Sequence, residues 1–345
     1  MKPLALVRKT LLVVLLIGFA SSAYGQPLEA IPQESGFSGF VNAGGALWRV
    51  EDNMVKKVGF FEISDDNINS IDDKPKSEYA VTPILTMNLR YTFASTRTQL
   101  FLGNQLEDLL RFDVATLIGL RQELVDQSVI GVSYVFSPVV TKVYKDPYDT
   151  DGSRNDTDRT VNGVRLSYEK ILGSAFNFQY TYRNIDIDDE ESGSALGLPS
   201  SQRNKLDRNG DQHDLEVLYR YVFQDGGTQH TLIPSFKYSR LDLDGDAMAN
   251  NNFMFRLNYR YDVEKFAFVV NGYYGYADYD KKNPIYDKTR NDDRYGFGLI
   301  GFYKRIFGVE GLALTANALI NRQDSNIDFY DSEIDLYFLS FLYVF

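Results

Sequence analysis

The chain carries two histidines, His213 and His230, and no cysteine, so acid–base and nucleophilic chemistry has little to draw on. His213 lies in D-Q-H-D (211–214), between Asp211 and Asp214. An Asp–His couple can activate water, but only with its partner groups held in place around the substrate. A second acidic pair would have to face it, and the sequence does not show which segments face each other. A surface histidine at an acidic rim is the simpler reading. His230 follows a short turn and reads as an interface residue. Neither histidine sits at mid-strand beside a serine, as a Ser–His hydrolase would need. No enzymatic step is expected.

Three acidic turns could hold a hard cation: D-T-D-G (149–152), D-R-N-G-D (207–211) and D-L-D-G-D (242–246). Carboxylates around a glycine that permits a sharp bend can wrap Ca²⁺. That makes Asp149, Asp151, Asp207, Asp211, Asp242 and Asp244 candidate ligands. The full EF-hand spacing is missing from all three. Asp, Asn and Gly are also common turn residues, so solvated turns explain them equally well. Looser sharing of divalent ions with lipopolysaccharide phosphates lies between the two. No cofactor is expected. The net charge of −11 argues against nucleic acid as a partner.

The elements that must position these residues begin after a leader. Lys2, Arg8 and Lys9 precede L-L-V-V-L-L-I-G-F-A, and small residues follow at Ala23-Tyr24-Gly25. This predicts a secretory signal peptide over 1–25, too short in its apolar run to span about 30 Å of hydrocarbon as a helix. Residues 26–36 are then an N-terminal periplasmic segment. From Phe37 to Phe345 apolar and polar residues alternate with a period of two, the signature of strands. In F-N-F-Q-Y-T-Y-R-N (176–184), Phe176, Phe178, Tyr180 and Tyr182 share one face. In F-M-F-R-L-N-Y-R-Y-D (253–262), Phe253, Phe255, Leu257, Tyr259 and Tyr261 do the same. Only L-E-D-L-L-R-F (106–112) suggests a helical turn.

Short turns (94–97, 171–174, 224–228, 263–265, 307–311) alternate with long acidic loops (51–77, 146–159, 187–210, 242–251, 280–292, 323–332). This is the plan of an all-β, antiparallel up-and-down transmembrane barrel of the outer-membrane type. About fourteen strands are predicted, with twelve as the alternative. Their starts fall near Phe37, Tyr79, Thr98, Leu110, Gln127, Thr160, Ala175, Gln212, Gln229, Asn252, Phe266, Arg294, Leu312 and Ile334. An even number puts both termini in the periplasm. A soluble sandwich would also alternate, but its apolar face would be rich in Val, Ile and Leu. Here the stripes are rich in Tyr and Phe near strand ends, as at lipid interfaces.

The last segment, Y-F-L-S-F-L-Y-V-F (337–345), places Tyr337, Leu339, Phe341, Tyr343 and Phe345 on one face. That face suits lipid, and its ending on Phe345 resembles the signal read by the outer-membrane assembly machinery. The opposite face, with Ile334, Leu336, Phe338 and Leu342, would turn apolar groups towards a watery lumen. Something should pack there, and Q-P-L-E-A-I-P-Q-E-S (26–35) is one candidate. The stretch I-P-Q-E-S-G-F-S-G-F-V-N-A-G-G (31–45), the aromatic C-terminus and the length resemble a family of uncharacterised gammaproteobacterial outer-membrane proteins, domain-of-unknown-function family 2860. The resemblance covers the mature chain and implies the location, with no activity or site attached.

By parity, Arg90, Arg165, Arg183, Glu216, Arg220, Arg256 and Arg260 line the lumen, with Arg121, Lys237, Arg294 and Lys304 beside them. Charges in a narrow aqueous passage set selectivity. They could also brace a closed wall as an ion-pair network. The expected function is a passive porin-like channel for small hydrophilic solutes, with a modest anion preference. The alternative is a surface adhesin or structural barrel that binds ligands or lipopolysaccharide through its acidic loops. Expected partners are outer-membrane lipid and lipopolysaccharide, the assembly machinery and small solutes.

Overall fold

The computed structural model describes residues 30–58, 61–65, 67–108, 113–138 and 140–345. The leader 1–25 lies outside the described residues, as do 26–29 of the segment after it. Period-two alternation becomes strands throughout. The wall begins with β1 (Gly36–Glu51), followed by two loop strands, β2 (Val55–Val58) and β3 (Phe61–Glu62). The wall resumes with β4 (Ser77–Phe93), β5 (Thr98–Asp108), β6 (Asp113–Glu123) and β7 (Val129–Phe136). A third loop strand, β8 (Thr141–Tyr144), precedes β9 (Asp156–Glu169), β10 (Phe176–Ile187) and β11 (Gly210–Tyr219). Then come β12 (Tyr221–Asp225), β13 (Thr228–Leu243), β14 (Asn250–Asp262) and β15 (Phe266–Asn283). The last three are β16 (Lys288–Lys304), β17 (Leu312–Ser325) and β18 (Ser332–Val344).

β11 and β12 are one wall strand broken at Arg220, since both pair with β13. The break faces Pro234, which has no N–H to give to a ladder. Counted so, the wall is a closed antiparallel barrel of fourteen strands. The alternative of twelve is set aside, because the segments at Thr98 and after Leu110 are both wall strands, β5 and β6. Closure runs from Phe40↔Val344 to Glu51↔Glu333 between β1 and β18. Only a closed sheet leaves no unpaired edge in hydrocarbon. Residues 106–108 extend β5 rather than forming a helical turn, and 109–112 lie outside the described residues.

Outward residues stay exposed although they are apolar: Leu257, Phe255, Phe268 and Leu339 among them. At the turn end, rings pair edge-on or tilted, as Phe37 with Tyr91 and Phe176 with Tyr219, both at 4.8 Å. At the loop end, outward tyrosines donate to carboxylates: Tyr182 to Asp211 at 2.9 Å and Tyr295 to Asp324 at 3.0 Å. Two aromatic belts, one of them capped by acids, bound an apolar band as a bilayer requires. Gly226 and Gly227 both take left-handed φ, 54° and 85°, the geometry that matches strand twist in a tight hairpin.

The inner face of β18 is covered, but by a different segment from the one expected. Val55, Val58 and Ile63 of the first loop pack on Trp48, Val50, Ile84, Ile334, Leu336 and Phe338. The β2–β3 hairpin extends the wall inward, with β2 pairing β8 and β8 pairing β9. Covering those aliphatic groups removes apolar area from water. Of the N-terminal segment, the described residues Ile31 and Pro32 lie at the turn end. Arg97, tied to Glu123 at 2.6 Å, donates to the carbonyls of Ile31 and Pro32, both at 2.6 Å.

Candidate functional site

The histidines are not arranged for catalysis. His213 Nδ1 meets the Tyr180 hydroxyl at 2.8 Å, and its ring lies 5.4 Å from that of Tyr182. Asp211 is engaged by Tyr182, and Asp214 points the other way into the barrel interior, 2.8 Å from Arg183. His230 stacks on Phe223 at 4.6 Å and meets the Tyr259 hydroxyl at 2.7 Å, an interfacial packing role. Both rings belong to the aromatic belts.

The calcium candidates do not converge. Among the described residues, no three acidic or histidine groups gather where a metal could bind. Their carboxylates have local work instead. Asp149 accepts the Asp151 N–H at 2.9 Å, Asp207 accepts the Asn209 N–H at 2.9 Å, and Asp242 pairs with Arg240 at 3.1 Å. Asp244 gives its N–H to the Asn209 carbonyl at 2.8 Å. The bonds of Asp149 and Asp207 close Asx-type turns, so these described carboxylates do not converge on one wrapped Ca²⁺.

Inside the barrel, alternation turns charges towards one another. Asp214 takes Arg183 at 2.8 Å and Lys237 at 3.2 Å. Asp262 takes Arg260 and Lys304. Each carboxylate is therefore shared by two cations. Arg121 reaches Glu169 on the next strand but one, at 2.6 Å. It can do so because Gly131, opposite it on β7, has no side chain to block the path. Arg90 Nε donates to Asn88 at 2.6 Å and Arg165 Nε to Thr181 at 2.9 Å. Among the described residues, Arg256 meets Met254 Sδ at 3.5 Å and the Tyr273 ring, 6.0 Å away. Glu216 stands opposite Lys237 across the β11–β13 ladder. Arg220 sits at the strand break, its N–H on the Ala175 carbonyl at 3.1 Å.

The interior is lopsided. Around β1, β4, β17 and β18 its outer half is filled by the hairpin core just described. Around β11–β16, inward-facing Glu216, Arg256, Arg260, Asp262 and Lys304 remain partly solvent-accessible. Among described side chains, inward cations outnumber inward acids.

The long loops, expected to be solvated, fold together over the mouth. Ile68, Tyr148, Leu206, Met248, Ile327, Phe329 and Tyr330 come from separate loops and form one buried core. Three arginines stitch it. Arg154 donates to the carbonyls of Asn53 at 2.8 Å and Asp65 at 2.6 Å, with its guanidinium 3.7 Å from the Tyr144 ring centre. Arg208 holds Glu190 at 2.6 Å and the Tyr144 carbonyl at 2.7 Å. Arg290 pairs with Asp292 at 2.7 Å and lies 3.9 Å over Tyr330. Such buried ions are tolerable only when fully engaged. Burial pushes the hydroxyl pKa values of Tyr148, Tyr286 and Tyr330 up. It also raises that of Asp52, against the N–H groups of Val55 and Met54 that its carboxylate accepts. Little in the sequence signals this cap, since its residues follow no period. The aromatic doublet F-Y (329–330) in an otherwise acidic loop was the one visible signal.

Residues 36–344 match the family model described as "Protein of unknown function (DUF2860)". No curated protein matches the sequence. Among solved structures, the chain is similar to a bacterial polysaccharide outer membrane secretin. That match has 9% identity, 89% of this chain and 98% of that one covered, and a TM-score of 0.37. It is also similar to OccK7 (OpdD) of Pseudomonas aeruginosa, with 11% identity, 90% and 99% covered, and a TM-score of 0.37. OccAB3 of Acinetobacter baumannii gives 11% identity, 90% and 99% covered, and a TM-score of 0.35. The barrel assignment stands on the closed ladder itself.

Proposed function

The chain belongs to the DUF2860 family, and from the barrel interior we propose that it is an outer-membrane channel for small hydrophilic solutes, with a modest anion preference. One observation carries this reading. Inward-facing Glu216, Arg256, Arg260, Asp262 and Lys304 keep solvent access inside a wall whose outer face is apolar, although Asp214 and Arg294 on the same strands are buried. A wall built only to be filled would bury them, as small barrels do. The sign is supported by Asp262, which answers both Arg260 and Lys304, and by Arg256, whose contacts among the described residues are Met254 and the Tyr273 ring. Charges in a confined passage act more strongly than those in a wide, salt-screened mouth. The loop cap sets entry at the other end, so conduction depends on cap opening. The leader, periplasmic termini and recognition of the C-terminus by the assembly machinery belong to the same reading.

Planar-bilayer recording in a salt gradient tests it. Wild-type protein should show discrete conductance steps with a reversal potential on the anion side. Arg256→Ala should move that potential towards zero. Absence of any conductance, in wild type and in cap-opened variants alike, would sink the channel. The second reading, a barrel that binds through its surface, is favoured by one observation: the loops form a single folded body with its own core. Cap-directed binding by a barrel that never conducts would support it.

A further inference from the structure

Four inward apolar residues of β18 posed a packing problem, and the hairpin core solves it for three of them. Leu342 is left. It belongs to a separate cluster at the turn end with Ala267, Val269, Ile300, Phe302 and Ala313. Against that cluster lies a cavity of about 290 Å³, walled by Phe302, Ala313, Leu342 and Val344 and rimmed by Arg260, Lys304, Arg305 and Glu264. Ala313 pairs with both Lys304 and Leu342 in the sheet, so its missing bulk opens the floor between them.

The rim is not neutral. Arg260 and Lys304 share the single carboxylate of Asp262, which leaves one positive charge to be answered. The Arg305–Glu264 pair at 3.5 Å is exposed on both sides, and pairs of that kind hold weakly. The guanidinium of Arg260 stands 6.0 Å from the centre of the Phe302 ring, so charge and apolar floor adjoin within one small space. A hydrated inorganic ion would leave the floor unused. A cation would meet three basic groups against one lining acid, Glu264. A neutral apolar molecule would leave the surplus charge unanswered. Pockets for small molecules combine an apolar lining with a few placed polar groups, and this one lies at the small end of their range.

We propose that this cavity binds a small organic monoanion, an aryl or short alkyl carboxylate, as it leaves or enters the barrel at the turn end. The carboxylate lies on Arg260 and Lys304, and the apolar body on Phe302, Ala313 and Leu342. The assignment rests on the channel reading for its route but not for its binding.

The test is calorimetric titration of the refolded full-length barrel in detergent with benzoate, alongside benzyl alcohol and benzylammonium. Benzoate should bind saturably, about tenfold or more tighter than either control, since only it answers the surplus charge. Arg260→Gln and Lys304→Gln should each weaken it several-fold. Ala313→Trp, which fills the floor, should abolish it. Heat-modifiable migration checks folding, and if Ala313→Trp fails that check, the two rim variants decide the matter. No saturable benzoate heat, equal affinity for benzyl alcohol, or unchanged binding in both rim variants would overturn the site. Binding without bilayer conductance keeps the site and sinks the channel; conductance without binding does the reverse.

Discussion

The hydroxyls of Tyr148 and Tyr330 lie 2.6 Å apart in the centre of the loop core, joining the loop before β9 to the loop before β18. Tyr330 also accepts Asn283 Nδ2 at 2.7 Å and carries Arg290 on its face. One side chain thus ties three loops across the mouth. Tyr330→Ala should cost the cap about 3–5 kcal/mol, the usual loss for a large buried aromatic, while the wall ladder keeps its own bonds. We expect faster tryptic cleavage at Arg154 and Arg208 and larger conductance steps, with unchanged heat-modifiable migration. Cleavage and conductance both at wild-type levels would show that the cap does not control entry.

Cap stability should depend on pH in two windows. Asp52 has a folded-state pKa raised by burial, above the unfolded value of about 3.9. Its contribution is therefore present below that value and lost as pH rises through the folded one. Asp65 is lowered, chiefly by the Asn67 N–H, so it stays ionised in both states until pH falls below about 4. Of the two shifts just named, it is the Asp52 effect that acts between pH 7 and about 4, and acidification should slow loop proteolysis by an acid-tolerant protease relative to an exposed control site. Asp52→Asn keeps an acceptor for Met54 and Val55 and should remove the dependence. Tyr148, Tyr286 and Tyr330 are raised as well, so the cap should loosen above about pH 10, where the unfolded tyrosines ionise.

The register of β14 gives a paired test of which face meets lipid. Leu257 is 40 % exposed on the outside, while Asn258, one residue on, turns inward with its Oδ1 buried. Leu257→Arg should cost about 2–4 kcal/mol if it lies near the midplane. Asn258→Arg enters a lumen that already accommodates guanidinium groups and should cost much less. Guanidinium unfolding in lipid vesicles would compare them, and equal losses would mean that the outer face does not contact lipid.

Much of this wall was legible because lipid and lumen impose a strict period of two. The largest displacements of a strand start, Lys288 against Arg294 and Asp156 against Thr160, occur where strands run past the apolar band. K-T-R-N-D-D and D-T-D-R pair their backbones without any apolar alternation, so they read as loop. The short strands β2, β3 and β8 were invisible for another reason: V-K-K-V becomes a strand only when its partner, distant in sequence, is present. Parity also put Arg121 inside, but could not show its partner, Glu169. Their contact spans an intervening strand and depends on Gly131. The cap was least legible, since Tyr148, Leu206, Met248 and Phe329 share no period and meet only because the barrel brings its loops to one rim.

The seam that closes the barrel ends on a pair of bonds that gives Phe345 a structural role. Its N–H donates to the Gly39 carbonyl at 3.0 Å, and its carbonyl accepts the Gly39 N–H at 2.9 Å. Gly39 is held between β4 and the chain end and has no room for a side chain: its φ is +147°, and a Cβ there would stand 1.9 Å from the Asn88 carbonyl oxygen of β4. Outside, the Phe345 ring stacks near Tyr343 at 6.1 Å and continues the lipid-facing row of Leu339 and Phe341. Deleting Phe345 removes both bonds and leaves Gly39 as an unpaired edge where lipid offers no substitute. The deletion should reduce heat-modifiable, membrane-inserted protein and leave unfolded chain in the periplasm. Phe345→Ala keeps the backbone bonds and loses only the ring, so it separates closure from recognition by the assembly machinery. A deletion defect rescued by alanine assigns the role to closure. Equal defects in both variants assign it to the ring, and normal insertion of the deletion would remove Phe345 from assembly altogether.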